Sequence, residues 1–201
     1  DYNYVFDPTV HLKRFFGEGA GGDYVFLIDE AHNLAERGRE MYSASICRED
    51  AVRVRKVMKE RAPRLYRSLG KLDKQLKELQ VDCGNYLVLP GTGSITMTIL
   101  KVQGEFDAFL EAHKDVELED EVRKFYFDIR NFLSIAELID ENYVVYAENG
   151  EDGLFRLKLF CVNPAVNLGE YLKKGRSAVF FSATLLPMSY YRKLLSNRQD
   201  D

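Results

Sequence analysis

The hydrophobic pattern of the chain changes period several times, and those changes mark its elements. Two short apolar runs, Tyr24-Val-Phe-Leu-Ile28 and Ser177-Ala-Val-Phe-Phe181, predict strands buried on both faces, as in a parallel sheet. Between them the pattern is mostly helical. His32 to about Tyr42 carries Leu34 and Met41 at helical spacing. From Arg48 to Gln80, Val52, Val54, Val57, Met58, Leu65, Leu69, Leu72, Leu76 and Leu79 fall mostly at helical spacing, and Pro63 divides the stretch into two helices. Ile95 to His113 and Glu119 to Asp140 predict two more, the latter striped by Val122, Phe125, Phe132, Leu133, Ala136 and Ile139.

Shorter signals fill the gaps. Tyr86-Leu-Val-Leu89 reads as extended, and Tyr143–Tyr146 and Leu154–Cys161 read as strands joined through Asn149-Gly-Glu-Asp-Gly153. Pro164 opens a short helix to about Lys174 that Gly175 ends, and Pro187 opens the last one. At the start, Asp1 to Asp7 reads as extended. Asp7 then suits an N-cap and Pro8 a first helical position, before the glycines at 17, 19, 21 and 22 break the helix. The fold class predicted is α/β, a parallel sheet interrupted by a mainly helical insertion. The divisions fall at 1–42, 43–140 and 141–201.

Composition narrows the classes. In 201 residues, 46% are hydrophobic and 30% charged, enough for a sizeable core and unlike a disordered chain. The net charge of −4 carries no whole-chain basic signature, but the charge is unevenly placed. Arg48 to Gln80 holds eleven basic residues against five acidic, whereas Glu105 to Glu141 holds twelve acidic against four basic. The insertion therefore has a basic and an acidic half. Cys47, Cys83 and Cys161 are three and widely spaced, which fits reduced thiols in a cytoplasmic protein and no zinc spacing. No apolar run approaches the roughly 20 residues needed to span a membrane.

The chemistry concentrates where the first strand ends. Asp29 and Glu30 follow Ile28 directly, and open α/β sheets place ligands at the carboxyl ends of their strands. Two adjacent acids alone read as a solvated turn. A cation gives them a use: one carboxylate holds Mg²⁺ carrying a nucleoside triphosphate, and the other acts on the attacking water. The string Asp29-Glu-Ala-His32 matches a DEAH box. A second motif, Ser182-Ala-Thr184, follows the other apolar run. Alone it reads as a helix-capping hydroxyl.

With both motifs in place, the chain resembles the XPD/DinG-like family of superfamily 2 DNA helicases. Asp1-Tyr-Asn-Tyr-Val-Phe-Asp-Pro8 looks like the family's segment upstream of motif II, Asp29-Glu-Ala-His32 like motif II, and Ser182-Ala-Thr-Leu185 with the helix after Pro187 like motif III. The long separation between the motifs looks like the family's helical arch. The resemblance implies a partial RecA-like sheet interrupted by that arch, with 1–42 and 141–201 as parts of the first RecA-like domain. It implies that Asp29 holds Mg²⁺, that Glu30 acts on the hydrolytic water of ATP, and that His32 communicates with Ser182 or Thr184. It implies an ATP-dependent helicase of 5′→3′ polarity in repair or replication, translocating on single-stranded DNA. Within the arch, Arg53, Lys56, Arg64, Arg67, Lys71 and Lys74 are candidates to line a DNA path, and the bland alternative for each is a solvated helix surface. Tyr126 and Phe127 are candidates to stack on bases, with core packing the alternative.

Other parts of such an enzyme are missing. No Gly-x-x-x-x-Gly-Lys-Ser/Thr occurs, so the triphosphate cradle is absent. The second RecA-like domain and the four clustered cysteines of the iron–sulfur cluster found in many family members are absent too. The expectation is a central fragment, inactive alone, whose partners are single-stranded DNA and the remainder of the helicase. Two rival readings are a standalone single-strand DNA-binding or protein-interaction module with a vestigial DEAH box, and a metal-dependent nuclease using Asp29 and Glu30.

Overall fold

A computed structural model describes residues 1–17, 19–115 and 117–196. Its contacts divide the chain into two units. Unit 1 joins Asp1–Ser43 to the segment from Cys161 onward, and unit 2 is the continuous stretch Ala44–Phe160.

In unit 1 the two apolar runs do meet. Strand β1 (Val25–Ile28) lies parallel to β6 (Ser177–Phe180), with Val25 opposite Ser177 and Ile28 opposite Phe180. The ladder continues past both strands: Arg176 N donates to Tyr24 O at 2.8 Å, and Phe181 N donates to Ile28 O at 3.0 Å. Helix α3 (His32–Met41) leaves β1 after a short turn and buries Leu34, Ala35, Gly38 and Met41, one face at helical spacing. Gly38 permits close packing, since a Cβ there would lie 2.9 Å from the Pro164 ring. That proline immediately precedes α8 (Ala165–Leu172), and α9 (Met188–Leu195) completes the unit.

Three features of unit 1 differ from expectation. The opening segment is not extended: α1 (Asn3–Phe6) forms, and its Phe6 carbonyl accepts the buried hydroxyl of Tyr42 at 2.6 Å. Asp7 does not cap a long helix. Its Oδ1 accepts from Thr9 N at 2.7 Å and Val10 N at 3.1 Å, so the carboxylate is spent on a local turn, and α2 covers only Lys13–Phe16. Finally, β1 is buried on one face only. Phe26 and Ile28 are buried, but Val25 and Leu27 are 53% and 70% exposed, and Val179 of β6 is 49% exposed, because among the described residues no element of unit 1 covers their side of the two-stranded sheet.

Unit 2 is built from helices α4 (Arg48–Val57), α5 (Pro63–Asp82), α6 (Ile95–Ala112) and α7 (Asp120–Ala136) together with a four-stranded antiparallel sheet. The sheet order is β2 (Ala44–Cys47), β5 (Phe155–Cys161), β4 (Tyr143–Asn149), β3 (Tyr86–Leu89). The boundary drawn at 140 shifts accordingly. The hairpin of β4 and β5, grouped by sequence with the returning segment, pairs instead with β3 and β2 and belongs to this unit. Strand β2 was not predicted, because four residues between two helices leave no period to read.

The core of unit 2 follows the stripes. Leu65, Leu69, Leu72 and Leu76 of α5 are buried with Val54 and Met58, with Ile99, Val102 and Phe106 of α6, and with Val122, Phe125, Ile129 and Phe132 of α7. Alternate strand residues Val145, Ala147, Phe155, Leu157 and Leu159 are buried too. The intervening residues carry polar contacts such as Lys158 to Glu148 at 2.7 Å. Across both units the fold is mixed α/β, with a small parallel sheet and a larger antiparallel one.

Candidate functional site

The parallel pairing of β1 with β6 places two turns side by side. After β1 the chain runs through Asp29, Glu30 and Ala31 into α3, and after β6 through Phe181, Ser182 and Thr184. Ala31 N donates to Phe181 O at 3.2 Å, which holds the turns together. His32 Nδ1 then lies 2.7 Å from Ser182 Oγ. Ser182 Oγ donates to Glu30 Oε2 at 3.3 Å, and His32 Nδ1 is 3.2 Å from the same carboxylate oxygen. Thr184 closes the group, its N donating to Ser182 Oγ at 3.3 Å and its Oγ1 lying 3.5 Å away. Ser182 is the hub: one hydroxyl touches Glu30, His32 and Thr184. Glu30, at 57% side-chain exposure, remains open to solvent, and His32, at 30%, is half-buried.

Asp29 is exposed, and its Oδ1 accepts the Glu30 amide at 2.8 Å. That contact occupies one carboxylate oxygen. Among the described residues, no three His, Cys, Asp or Glu side chains gather as a metal-holding group. A single exposed carboxylate does suit Mg²⁺, which keeps several waters and takes substrate phosphate oxygens in place of a full protein cage. Zinc or calcium would need further ligands than the described residues gather here.

One contributor was not visible in the sequence. Tyr2 Oη donates to the carbonyls of both Asp29 and Glu30, at 2.5 Å and 2.8 Å. Partial burial, and then the negative charges of Asp29 and Glu30, push its phenol above the ordinary value, so it stays a donor at neutral pH. Tyr2 also lines a cavity of about 740 Å³ beside the acids, together with Phe6, Leu27, Asn33 and Arg37. The only sequence signal for it was membership of the segment Asp1–Pro8.

The basic candidates all lie in unit 2. Arg64, Arg67, Lys71 and Lys74 recur every three or four residues on the exposed face of α5. Among the described residues no ion pair engages Arg64, Arg67 or Lys71, and Lys74 has only a loose contact with Glu78 at 3.9 Å. Lys56 is exposed on α4, whereas Arg53 is paired with Asp50 and, at 3.7 Å, with Glu121. Two other bases of the stretch are half-buried and engaged: Arg48 pairs with Asp73 at 2.9 Å, and Arg55 lies over the Tyr66 ring at 4.6 Å. Of the aromatic candidates, Tyr126 is tied to Asp107 at 2.5 Å and packs on Phe106, whereas Phe127 is 55% exposed.

No protein-family model matches the chain, and no curated protein does. Among solved structures, Xpd4 of S. tokodaii is similar, with a TM-score of 0.54 and 18% identity over 92% of this chain. The match covers 39% of that protein, so the chain corresponds to well under half of its length. At this identity the likeness is one of fold. Among the described residues, no helix is long and apolar enough to cross a membrane.

Proposed function

We propose that this chain is the central part of an ATP-dependent DNA helicase, carrying the carboxylate half of an ATPase site in unit 1 and an arch-like insertion in unit 2. The observation that carries the reading is the contact of His32 with Ser182, made across 150 residues of sequence by the parallel pairing of β1 and β6. The fold likeness to S. tokodaii Xpd4 agrees with it. So does the bare face of Val25 and Leu27, which a larger sheet or its covering helices in the remainder of the protein would bury.

In this reading Asp29 holds Mg²⁺, which supplies positive charge against the phosphates of ATP. Glu30 orients the attacking water and takes its proton. Ser182 holds the Glu30 carboxylate and His32 in one network with Thr184, so movement of the turn after β6 is felt at the base. That is a route by which single-stranded DNA engagement and hydrolysis report on each other. The phosphate-binding loop comes from elsewhere in the full-length protein, and the isolated chain is inactive.

The test is Glu30→Gln in the full-length protein. It abolishes hydrolysis and leaves nucleotide binding intact; retained DNA-stimulated hydrolysis in that variant contradicts the reading. A second reading, a single-strand DNA-binding module with a vestigial DEAH box, is favoured by the α5 stripe. It is distinguished by tight DNA binding of this chain together with a full-length protein that hydrolyses no ATP.

A further inference from the structure

Glu30 has a backbone φ of 50° and is the only non-glycine residue with positive φ among those described. A side chain with a Cβ is disfavoured in this left-handed region, so the surroundings must impose it. Several backbone groups nearby are pinned. Glu30 N goes to Asp29 Oδ1, Ala31 N to Phe181 O, and Glu30 O accepts Asn33 N at 2.9 Å. The left-handed residue also turns the carbonyls of Asp29 and Glu30 toward one point, and Tyr2 Oη occupies that point. Tyr2 is itself held from behind. It leads into α1, whose Phe6 is 1% exposed and bonded to Tyr42 of α3.

We propose that Tyr2 is a positioning residue for Glu30: its hydroxyl clamps the two carbonyls and holds the left-handed backbone that aims the Glu30 carboxylate at Ser182 and His32. This inference rests on the reading of Glu30 as the residue that acts on the hydrolytic water.

The experiment compares Tyr2→Phe and Glu30→Gln with the wild type in the full-length protein. Tyr2→Phe lowers kcat for ATP about ten- to a hundredfold, as a small misplacement of a reacting group does. The KM for ATP and the melting temperature stay near wild type, so the loss sits in the chemical step. A wild-type kcat in Tyr2→Phe overturns the proposal, and so does a loss that appears in KM and not in kcat. Should Tyr2→Phe fold poorly, two unnatural residues at position 2 keep the ring and its length: 4-aminophenylalanine retains a donor at the ring's end and keeps kcat within a few-fold of wild type, whereas 4-methylphenylalanine has none and loses it as Tyr2→Phe does. Equal rates in the two overturn the proposal. Hydrolysis surviving in Glu30→Gln instead removes the parent reading, so the two failures are separable.

Discussion

His32 Nδ1 and Ser182 Oγ stand 2.7 Å apart, joined by a strand pairing and separated by 150 residues of chain. Ser182 also reaches Glu30 and Thr184, so its removal disconnects Thr184 from the histidine and leaves only the direct 3.2 Å approach of His32 to Glu30. In the full-length protein, Ser182→Ala lowers the stimulation of ATP hydrolysis by DNA about five- to a hundredfold, the range of ordinary coupling free energies. Basal hydrolysis falls less. The ratio of DNA-stimulated to basal rate is the measurement, and an unchanged ratio contradicts the coupling role.

The α5 stripe gives a prediction about salt. Replacing Arg64, Arg67, Lys71 and Lys74 together by alanine weakens single-stranded DNA binding and flattens the plot of log affinity against log salt. The slope changes by about 3 if all four meet phosphates, at ~0.7 per contact on a single strand. Arg53→Ala and Arg61→Ala have less effect, because those guanidiniums already face Glu121 at 3.7 Å and Glu119 at 3.2 Å. Fluorescence anisotropy across a salt series reads both.

For the core of unit 2, Leu72 is fully buried on α5, whereas Val88 on edge strand β3 is 60% exposed. Leu72→Ala destabilises by about 2–5 kcal/mol through lost burial and the cavity left behind. Val88→Ala stays within about 0.5 kcal/mol. Urea unfolding of the chain, followed by circular dichroism, separates the two.

The β4–β5 turn gives a prediction about pH. Asp152 is bound by Arg156 and accepts the Leu154 amide at 3.1 Å, and these bonds lower its pKa to about 2. The folded value lies below the unfolded one, so the stabilisation is complete above about pH 4. It is lost as pH falls toward 2. The Asp152 side chain is 50% exposed, which keeps the effect small. Carbon-detected NMR titration should find the Asp152 midpoint near 2, and Arg156→Ala should return it to about 4. A midpoint already near the ordinary value in the wild-type chain would show that the pair does not form.

The sequence made the β1–β6 pairing legible because each strand is an apolar run that ends in a recognisable motif, and the helices legible because their stripes are long. It could not show that Val25 and Leu27 lie open, since an apolar run predicts a need for cover and not its source. Nor could it show the place of the β4–β5 hairpin. Strand partners are chosen by tertiary pairing, and β2, the partner of β5, is four residues long. Within the site, the motif residues were readable by type and order, but Tyr2 was not. Its contribution is the reach of one hydroxyl to carbonyls 27 and 28 residues away, and no local pattern records that.

The register of β2 against β5 also bears on how the chain folds. Ala44 is paired with Leu159, so unit 2 begins and ends on neighbouring strands, and just outside it Cys161 N donates to Ser43 Oγ at 3.0 Å. In an unfolded chain, joining β1 to β6 closes a loop over the whole of unit 2, and non-local pairings of this kind form slowly. Once unit 2 has folded, its own ends are adjacent and the loop shrinks to a few residues. The insertion thus acts as a clasp that turns a distant encounter into a local one. It can therefore grow or shrink in length without changing the search that assembles unit 1.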